Sequence, residues 1–260
     1  MVNLLTDANV HFHFEWEAPE DNLLKELPKI QYLKGKYEQK GFKVKNFFVT
    51  TLPYLKLLRI LSKNTDLILG LYLPFPNDAT LDPGLLTYFK YVKIRPYFDI
   101  AYFHLDKLKK FFDELSNTNI NPIQLHVETL PLDLVKFLKD TLPSCRFNLQ
   151  LVHGVYALYR QVPYEISNQE LQKIVRSIVD IDGVFLGTSN FEHYSEDPHP
   201  YLKRALDDNL GDQIVYESDF ILGYPYSLEV ALGNFEGCRN AIGYDSRVYF
   251  KNAERLSKNR

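Results

Sequence analysis

Short apolar runs rich in β-branched and aromatic residues alternate along the chain with longer stretches whose apolar residues recur at helical spacing. The short runs are nearly continuous in Val, Ile, Leu and Phe, which is typical of parallel strands covered on both faces. Turn residues or charges bound each run. We therefore predict eight strands, at residues 4–14, 43–51, 67–74, 91–96, 122–128, 146–153, 183–189 and 213–220.

Helical periodicity fills the segments between these strands. Apolar residues recur every three to four positions within residues 105–115, and again within residues 132–142. Eight strand–helix units in about 250 residues match the size of a minimal (β/α)8 barrel. The predicted fold class is α/β, as a single TIM-type barrel domain over residues 1–260. A doubly wound open sheet is the alternative.

The longest connection between predicted strands runs from residue 154 to residue 182. Long loops in compact domains often cover a functional site. We therefore predict that residues 155–164 form a lid over one end of the barrel. Within it, Tyr156, Tyr159 and Arg160 would form an aromatic and cationic wall for a small anionic substrate.

Composition and charge narrow the class of protein. The 260 residues are 45% hydrophobic and 24% charged, which excludes fibrous and disordered chains. Thirty basic residues against 33 acidic ones give a net charge of −3, and this balance disfavours a nucleic-acid partner. No apolar run approaches the ~20 residues of a membrane span, and no signal-type segment opens the chain. These features predict a cytoplasmic protein with a small-molecule substrate and no membrane partner.

The sequence lacks the motifs of several classes of enzyme. The 12 glycines form neither a dinucleotide fingerprint nor a phosphate-binding P-loop, and no Gly-x-Ser-x-Gly elbow is present. Cys145 and Cys238 stand in no Cys-x-x-Cys pair, so we predict that both are small buried hydrophobic residues. Any chemistry must therefore come from the histidines and acidic residues.

Potential metal ligands lie where the predicted strands end. Barrel active sites form at the carboxyl ends of the strands, and residues two apart in a strand face the same side. Neutral imidazoles with one carboxylate suit a divalent ion and leave room for a water, whose pKa falls from ~16 toward ~7. We predict one ion, zinc first and iron or manganese otherwise. The candidates are His11 and His13 on the first strand, His126 on the fifth, His153 on the sixth and Asp219 on the eighth. Asn9 shares a face with His11 and His13, but an asparagine is a poor zinc ligand, so we predict that it supports a ligand or contacts the substrate.

The arrangement resembles the amidohydrolase (metallo-dependent hydrolase) superfamily. His11-x-His13, His126, His153-Gly154 and Glu217-Ser-Asp219 occur in that family's order along the chain. Lys93-Ile-Arg95-Pro96 is similar to its strand-four Lys-x-His-Pro, and residues 249–256 are similar to its closing segment. The likeness spans the whole chain and is nearest to the amidohydrolase-2-like branch, with TatD-like deoxyribonucleases as a neighbour.

The resemblance implies a role for each matching residue. His11, His13, His126 and Asp219 would bind the metal. Asp219 would also act as general base toward the water and then as acid toward the leaving group. His153 would either bind a second metal or polarise a carbonyl or phosphoryl oxygen of the substrate. Lys93 takes the place of a bridging or substrate-contacting lysine.

The chain also departs from the family pattern. The usual Asp-x-His-x-His would align Asn9 and His11 with the two histidines, so the strand-one pair is either Asn9 and His11 or His11 and His13. Arg95 replaces the strand-four histidine, and this favours one metal over a bridged pair. Glu128 shares a predicted face with His126, and Glu217 shares one with Asp219, so either glutamate would orient a ligand imidazole.

These features predict a metal-dependent hydrolase that uses metal-activated water on a small-molecule amide, ester or lactone. Decarboxylation at the same metal is the nearest variant. A TatD-like deoxyribonuclease is one alternative. A metal-free barrel that serves as a binding or assembly subunit is another, which Asn9 and Arg95 would favour.

Overall fold

A computed structural model describes residues 2–12, 20–75, 83–96, 105–160, 167–189, 199–224 and 226–258. Its strands follow the predicted ones closely, and the strand at 91–96 has the predicted bounds. The strands are β1 (Asn3–Phe12), β2 (Phe42–Thr51), β3 (Leu67–Phe75), β4 (Tyr91–Pro96), β5 (Ile123–His126), β6 (Leu149–Val152), β7 (Val184–Gly187), β8 (Ile214–Val215) and β9 (Phe220–Leu222).

Helices lie between the strands, as the periodicity predicts. Their buried residues are the apolar ones that face the sheet, for example Leu108, Phe112 and Leu115 in the helix after β4. Within the described ranges the helices are α1 (Glu20–Gln39), α2 (Leu55–Leu61), α3 (Pro83–Leu86), α4 (Leu105–Leu115), α5 (Leu132–Thr141), α6 (Gly154–Arg160), α7 (Asn168–Val179), α8 (His199–Asp207), α9 (Ser227–Ile242) and α10 (Asn252–Leu256).

The strands form one parallel sheet that curls on itself. Its order is β8-β7-β6-β5-β4-β3-β2-β1-β9, and every neighbouring pair is parallel. The two edge strands are consecutive in the chain, since β8 bonds to β7 and β9 bonds to β1. The Ala8 N–H also donates to the Tyr216 carbonyl at 3.0 Å. The segment 214–222 therefore joins the two ends of the sheet, and the TIM-type α/β barrel is confirmed.

The eighth barrel strand differs from its prediction. A single strand at residues 213–220 is wrong, because β8 covers only two residues and β9 begins at Phe220. The backbone between them leaves the ladder, and Asp219 there has a φ of 55°. This break directs Glu217 and Asp219 toward the barrel interior, where they meet side chains from other strands, whereas the backbone of Ser218 bonds to Asp7 and Asn234.

A shift in register within β1 sets which of its residues face inward. The pairing with β2 is irregular between Asp7 and Val10. Asp7 accepts a hydrogen bond from the Tyr37 hydroxyl of α1, on the outside of the sheet. Asn9 is bonded to Asp219 and Lys93, on the inside. The bulge therefore places Asn9 and His11 on the interior face, as the alternation predicts, although Asp7 faces outward.

Two apolar clusters hold the fold together. The larger one fills the layer between the sheet and the helices. The smaller one fills the barrel interior with side chains from five strands and α10, namely Ala8, Phe48, Tyr91, Phe185, Val215 and Leu256. Layers of this kind close the interior of a TIM barrel as a packed core. Polar side chains at the carboxyl ends of the strands thus meet above this smaller cluster.

The predicted lid is wrong for the described part of its segment. Residues 154–160 form α6, and all but Arg160 are buried. The Tyr159 hydroxyl donates to Asp208 Oδ2 at 2.8 Å, while the Arg160 guanidinium lies 5.0 Å from the centre of the Tyr156 ring. These side chains pack around α6, and their role as a substrate wall stays a prediction. Residues 161–164 lie outside the described ranges.

Two further predictions can be compared with the structure. Cys145 and Cys238 are both buried and form no disulfide with each other, so their prediction as small core residues is confirmed. Among the described residues no helix is both long and apolar enough to cross a membrane.

Candidate active site

Five of the predicted site residues converge at the carboxyl ends of the strands. His11 lies near the end of β1, His126 ends β5, and His153 directly follows β6. Asp219 directly precedes β9, and Lys93 projects from β4. All five are buried. Their neighbourhood arises because parallel strands bring their carboxyl ends to one edge of the barrel.

Asp219 is the centre of the hydrogen bonding. Its Oδ1 accepts from Asn9 Nδ2 at 2.9 Å and lies 3.3 Å from His11 Nε2. The Lys93 ammonium donates to Asn9 Oδ1 at 2.7 Å. Asn9 therefore links a buried cation to a buried carboxylate, and each of its two amide atoms serves one of them.

The electrostatics keep Asp219 ionised. Burial alone would raise the pKa of its carboxyl, but His153, the bond from His11 and the Lys93 charge outweigh burial and hold the pKa well below its usual value. Burial lowers the pKa of Lys93 to about 8, and the negative charges of Asp219 and Glu217 limit the fall. At neutral pH the site thus holds a carboxylate and an ammonium group that face each other through Asn9.

The three described imidazoles are neutral at pH 7. Burial is the main cause that lowers the pKa of His11 and of His153 to about 4 each, and that of His126 well below the usual value. The rings of His126 and His153 meet edge to face, with centroids 4.7 Å apart. Neutral imidazoles are the form that binds metals and accepts protons.

A second carboxylate, Glu217, lies beneath His153. Its Oε2 accepts from the Ser189 hydroxyl at 2.5 Å and from the His153 backbone N–H at 3.2 Å, and its Oε1 accepts from Gln150 Nε2. Ser189 Oγ also lies 2.8 Å from His153 Nδ1. Burial raises the pKa of Glu217 to about 7, although these hydrogen bonds oppose the rise.

Gly187 makes the space that Glu217 occupies. A Cβ atom at Gly187 would lie 1.9 Å from the Cδ and Oε1 atoms of Glu217. Any larger residue at this position of β7 would therefore displace the carboxylate. Gln150 and Gln124 continue the polar chain, since both donate to the Ala8 carbonyl, at 3.3 and 2.7 Å.

Two site residues have left-handed backbones. His153 has a φ of 63° and Asp219 a φ of 55°. Such conformations are uncommon for residues other than glycine and cost on the order of 1–3 kcal/mol each. They persist where surrounding contacts hold them, and they concentrate at functional sites. Here they end β6 and begin β9 with turns that direct an imidazole and a carboxylate to the same place.

The remaining predicted residues have mixed outcomes. Glu217 is buried beside His153, whereas Glu128 is exposed, so an orienting role for Glu128 is wrong. Glu128 is predicted to share a strand face with His126, but β5 ends at His126, so the alternation of faces does not extend to residue 128. Arg95 is partly buried, and its charge lowers the pKa of both Lys93 and His126. His13 lies outside the described ranges.

Sequence reasoning missed Ser189, Gln150 and Gly187. The sequence does carry a signal for Ser189, since it is the last residue of the predicted seventh strand, and barrel active sites form at strand ends. Gln150 lies two residues before the end of β6, on the interior face. The need for a glycine at 187 depends on Glu217, thirty positions away, and has no local signature.

The donor chemistry fits a divalent ion, although no three His, Cys, Asp or Glu side chains among the described residues are already gathered to hold one. His11 Nδ1 lies 3.2 Å from the Phe12 carbonyl and Nε2 lies 3.3 Å from Asp219 Oδ1. A neutral ring carries one proton and cannot donate to both oxygens. A cation shared by Nε2 and the carboxylate would satisfy both atoms, and tetrahedral ligands with bonds of ~2.1 Å lie roughly 3.4 Å apart.

Comparison with solved structures places the fold. The chain is similar to Amidohydrolase 2 from Bifidobacterium longum subsp. infantis, with a TM-score of 0.65 and 13% identity over 99% of this chain and 100% of that one. It is also similar to the phosphotriesterase from Mycobacterium tuberculosis, with a TM-score of 0.62 and 12% identity over 98% and 94% of the two chains. An apo structure from Agrobacterium tumefaciens matches with a TM-score of 0.55 and 11% identity over 98% and 95%.

No protein-family model and no curated protein sequence matches the chain. At 11–13% identity the structural likeness establishes the fold. These comparisons therefore confirm the predicted TIM-type barrel fold, and one of the neighbours bears the name of the family that the strand-end motifs resemble. Function has to be argued from the site itself.

Proposed function

We propose that the protein is a hydrolase that adds water to an amide, ester or lactone bond of a small molecule, with the help of one divalent ion. The observation that carries this proposal is the convergence of neutral buried imidazoles and an ionised carboxylate at the strand ends. The names of two structural neighbours, an amidohydrolase and a phosphotriesterase, agree with hydrolysis.

His11, His126 and Asp219 would hold the ion, together with His13, which the sequence pattern predicts as a further ligand. Zinc suits this mixture of nitrogen and oxygen donors, and iron or manganese are the next choices. When bound, such an ion polarises a water and makes hydroxide available at neutral pH.

Asp219 would accept the proton of the attacking water. Its carboxylate is ionised throughout the neutral range, and the bond from Asn9 fixes its orientation. The same group would then return the proton to the leaving group, so that no net charge accumulates in the buried site.

Lys93 and Arg95 would supply positive charge to the substrate. The Lys93 ammonium is buried and fixed by Asn9, and Arg95 follows two residues later on the same strand. Fixed cations of this kind stabilise negative charge that develops on a substrate oxygen. A carboxylated substrate would suit them, which also keeps decarboxylation open as a variant of the reaction.

A metal-free barrel with a binding role is the second candidate. It is favoured by the bonds from Asn9 and His11, which already satisfy Asp219 Oδ1, and by the Lys93 charge nearby. In that case the site would bind an anionic small molecule without adding water to it.

Metal content separates the two candidates. The protein, purified without chelators or a histidine tag, is analysed by plasma mass spectrometry together with His11→Ala and Asp219→Asn. Asp133→Asn is the matched control, because its carboxylate on α5 is exposed. We expect about one equivalent of metal in the wild type and the control, and its loss in both site variants.

A wild-type protein that holds no metal and takes up none when zinc, iron or manganese is added would contradict the hydrolase proposal. If the protein does bind metal, the metal-loaded form is screened for hydrolysis of amides, esters, lactones and carboxylated aromatics. Single-stranded DNA is included, since its cleavage would instead support a TatD-like nuclease.

A further inference from the structure

Beneath the imidazole of His153 lies a two-step hydrogen-bond chain. The ring Nδ1 is 2.8 Å from Ser189 Oγ, and Ser189 Oγ is 2.5 Å from Glu217 Oε2. All three residues are buried, with at most 1% of each exposed. This hydrogen-bond chain links the ends of β6 and β7 to the break between β8 and β9.

The donors around Glu217 fix the direction of this chain. The His153 backbone N–H can only donate, and so can the Gln150 amide nitrogen, so both carboxylate oxygens act as acceptors. When Glu217 is ionised it has no proton to donate, so it also accepts from Ser189. The single hydroxyl proton of Ser189 is therefore directed at Glu217, and its oxygen is left to accept from His153.

We infer that Glu217 and Ser189 are positioning residues that hold His153 as the Nδ1–H tautomer, so that Nε2 presents a lone pair to the site. Because Nε2 then has no proton, it cannot donate to a substrate carbonyl. His153 therefore acts as a ligand or proton acceptor and does not polarise the substrate oxygen. Metal-binding imidazoles commonly have their orientation and tautomer set in this way by the partner of the other nitrogen.

The surrounding structure is built to keep Glu217 in place. Gly187 leaves room for the carboxylate, since a Cβ there would overlap it at 1.9 Å. The left-handed backbone of His153 brings its own N–H to within 3.2 Å of Oε2. One carboxylate thus binds both the main chain and, through Ser189, the side chain of the same histidine.

This inference rests on the proposed function for its catalytic meaning, but the tautomer can be measured without any metal. Histidine labelled with ¹⁵N is incorporated, and long-range ¹H–¹⁵N spectra are recorded on metal-free protein at about pH 8.5, which lies above the pKa of both Glu217 and His153. A His153→Gln sample assigns the resonances. We expect a protonated, pyrrole-type Nδ1 and an unprotonated, pyridine-type Nε2.

Two variants then test the chain, and a third serves as control. Ser189→Ala removes the acceptor of Nδ1, and Glu217→Gln introduces an amide that can donate to Ser189 and reverse its hydroxyl. Both should shift His153 toward Nε2–H. Thr50→Val is the matched control, because it deletes a buried barrel hydroxyl that is bonded to Tyr91 and does not touch the chain.

The metal affinity provides a second readout. If His153 is a ligand, chelator competition should show zinc binding about 10–100-fold weaker in Ser189→Ala, as is usual when the partner of a ligand imidazole is lost. If His153 is a proton acceptor only, the tautomer should shift in Ser189→Ala while the zinc affinity stays unchanged. Thr50→Val should bind zinc as the wild type does. An Nε2–H tautomer in the wild type, or an unchanged ring spectrum in folded Ser189→Ala, would overturn the inference.

The two proposals can fail separately. In one outcome the wild type shows the Nδ1–H tautomer, the Ser189→Ala variant does not, and neither binds metal. This outcome would support the positioning role of Ser189 and Glu217 and overturn the metal-assisted hydrolase. In another outcome the protein binds one equivalent of metal, but the tautomer of His153 does not depend on Ser189. This outcome would overturn only the positioning role of Ser189 and Glu217.

Discussion

Replacement of Gly187 by alanine should be among the most damaging small changes in this protein. The new methyl carbon would lie 1.9 Å from Glu217 Cδ and Oε1 and 2.1 Å from Oε2. No side chain tolerates such distances, so the Glu217 carboxylate must move. Its displacement breaks the bonds from Ser189, Gln150 and the His153 N–H, all within the buried interior.

The cost follows from two terms. Overpacking a tight interior typically costs about 1–3 kcal/mol. Each buried polar group left without its partner costs about 1–3 kcal/mol, and some of the three donors will find new acceptors. We expect the free energy of unfolding to fall by roughly 3–6 kcal/mol, a large part of the about 5–15 kcal/mol that stabilises a typical domain.

Urea unfolding followed by circular dichroism measures this loss, with Gly233→Ala as the matched control. Gly233 lies inside α9, and a Cβ there would meet nothing within 4 Å. Alanine favours a helix interior, so the control should be more stable than the wild type by about 0.5–1 kcal/mol. The linear slope with urea must stay unchanged for the two values to be compared.

A double-mutant cycle with Glu217→Ala isolates the clash. Gly187→Ala should cost far less in that background, because the carboxylate that it meets is gone. The reasoning fails if Gly187→Ala is as stable as the wild type, or if its cost is the same with and without Glu217.

Two further predictions concern the buried charges. Burial raises the pKa of Asp7 from 3.8 to about 6, so its carboxyl favours the folded state below about pH 4 and loses that contribution as the pH rises through 6. Relative to the wild type, Asp7→Asn should therefore gain roughly 3 kcal/mol of unfolding free energy between about pH 4 and pH 7.5, and a pH-independent difference would contradict this. Asp219→Asn leaves the buried Lys93 cation without its compensating carboxylate and should cost about 3–5 kcal/mol in urea unfolding. Adding Lys93→Met should restore part of that loss, and a strictly additive double variant would exclude the coupling.

The sequence by itself determined the barrel and the location of its candidate site. Continuous apolar runs and helical periodicity report burial directly, which is why the strand at 91–96 and the helix at 105–115 have the bounds that the pattern predicts. The rule that parallel strands bring their carboxyl ends together then placed His11, His126 and His153 in one region. That rule needs the order of the strands and no contact between particular side chains.

Only the tertiary structure decided how the site residues meet. Alternation along β5 predicted an inward Glu128, but the strand ends before it and its side chain is exposed. The bulge in β1 and the break before β9 depend on how neighbouring strands pair, which no local pattern records. Ser189 and His153 are 36 positions apart, and Glu217 lies 64 from His153. Their hydrogen bonds form because closure of the barrel brings the polar atoms of distant strand ends to within about 3 Å of one another. That closure is a property of the folded protein and has no local sequence pattern.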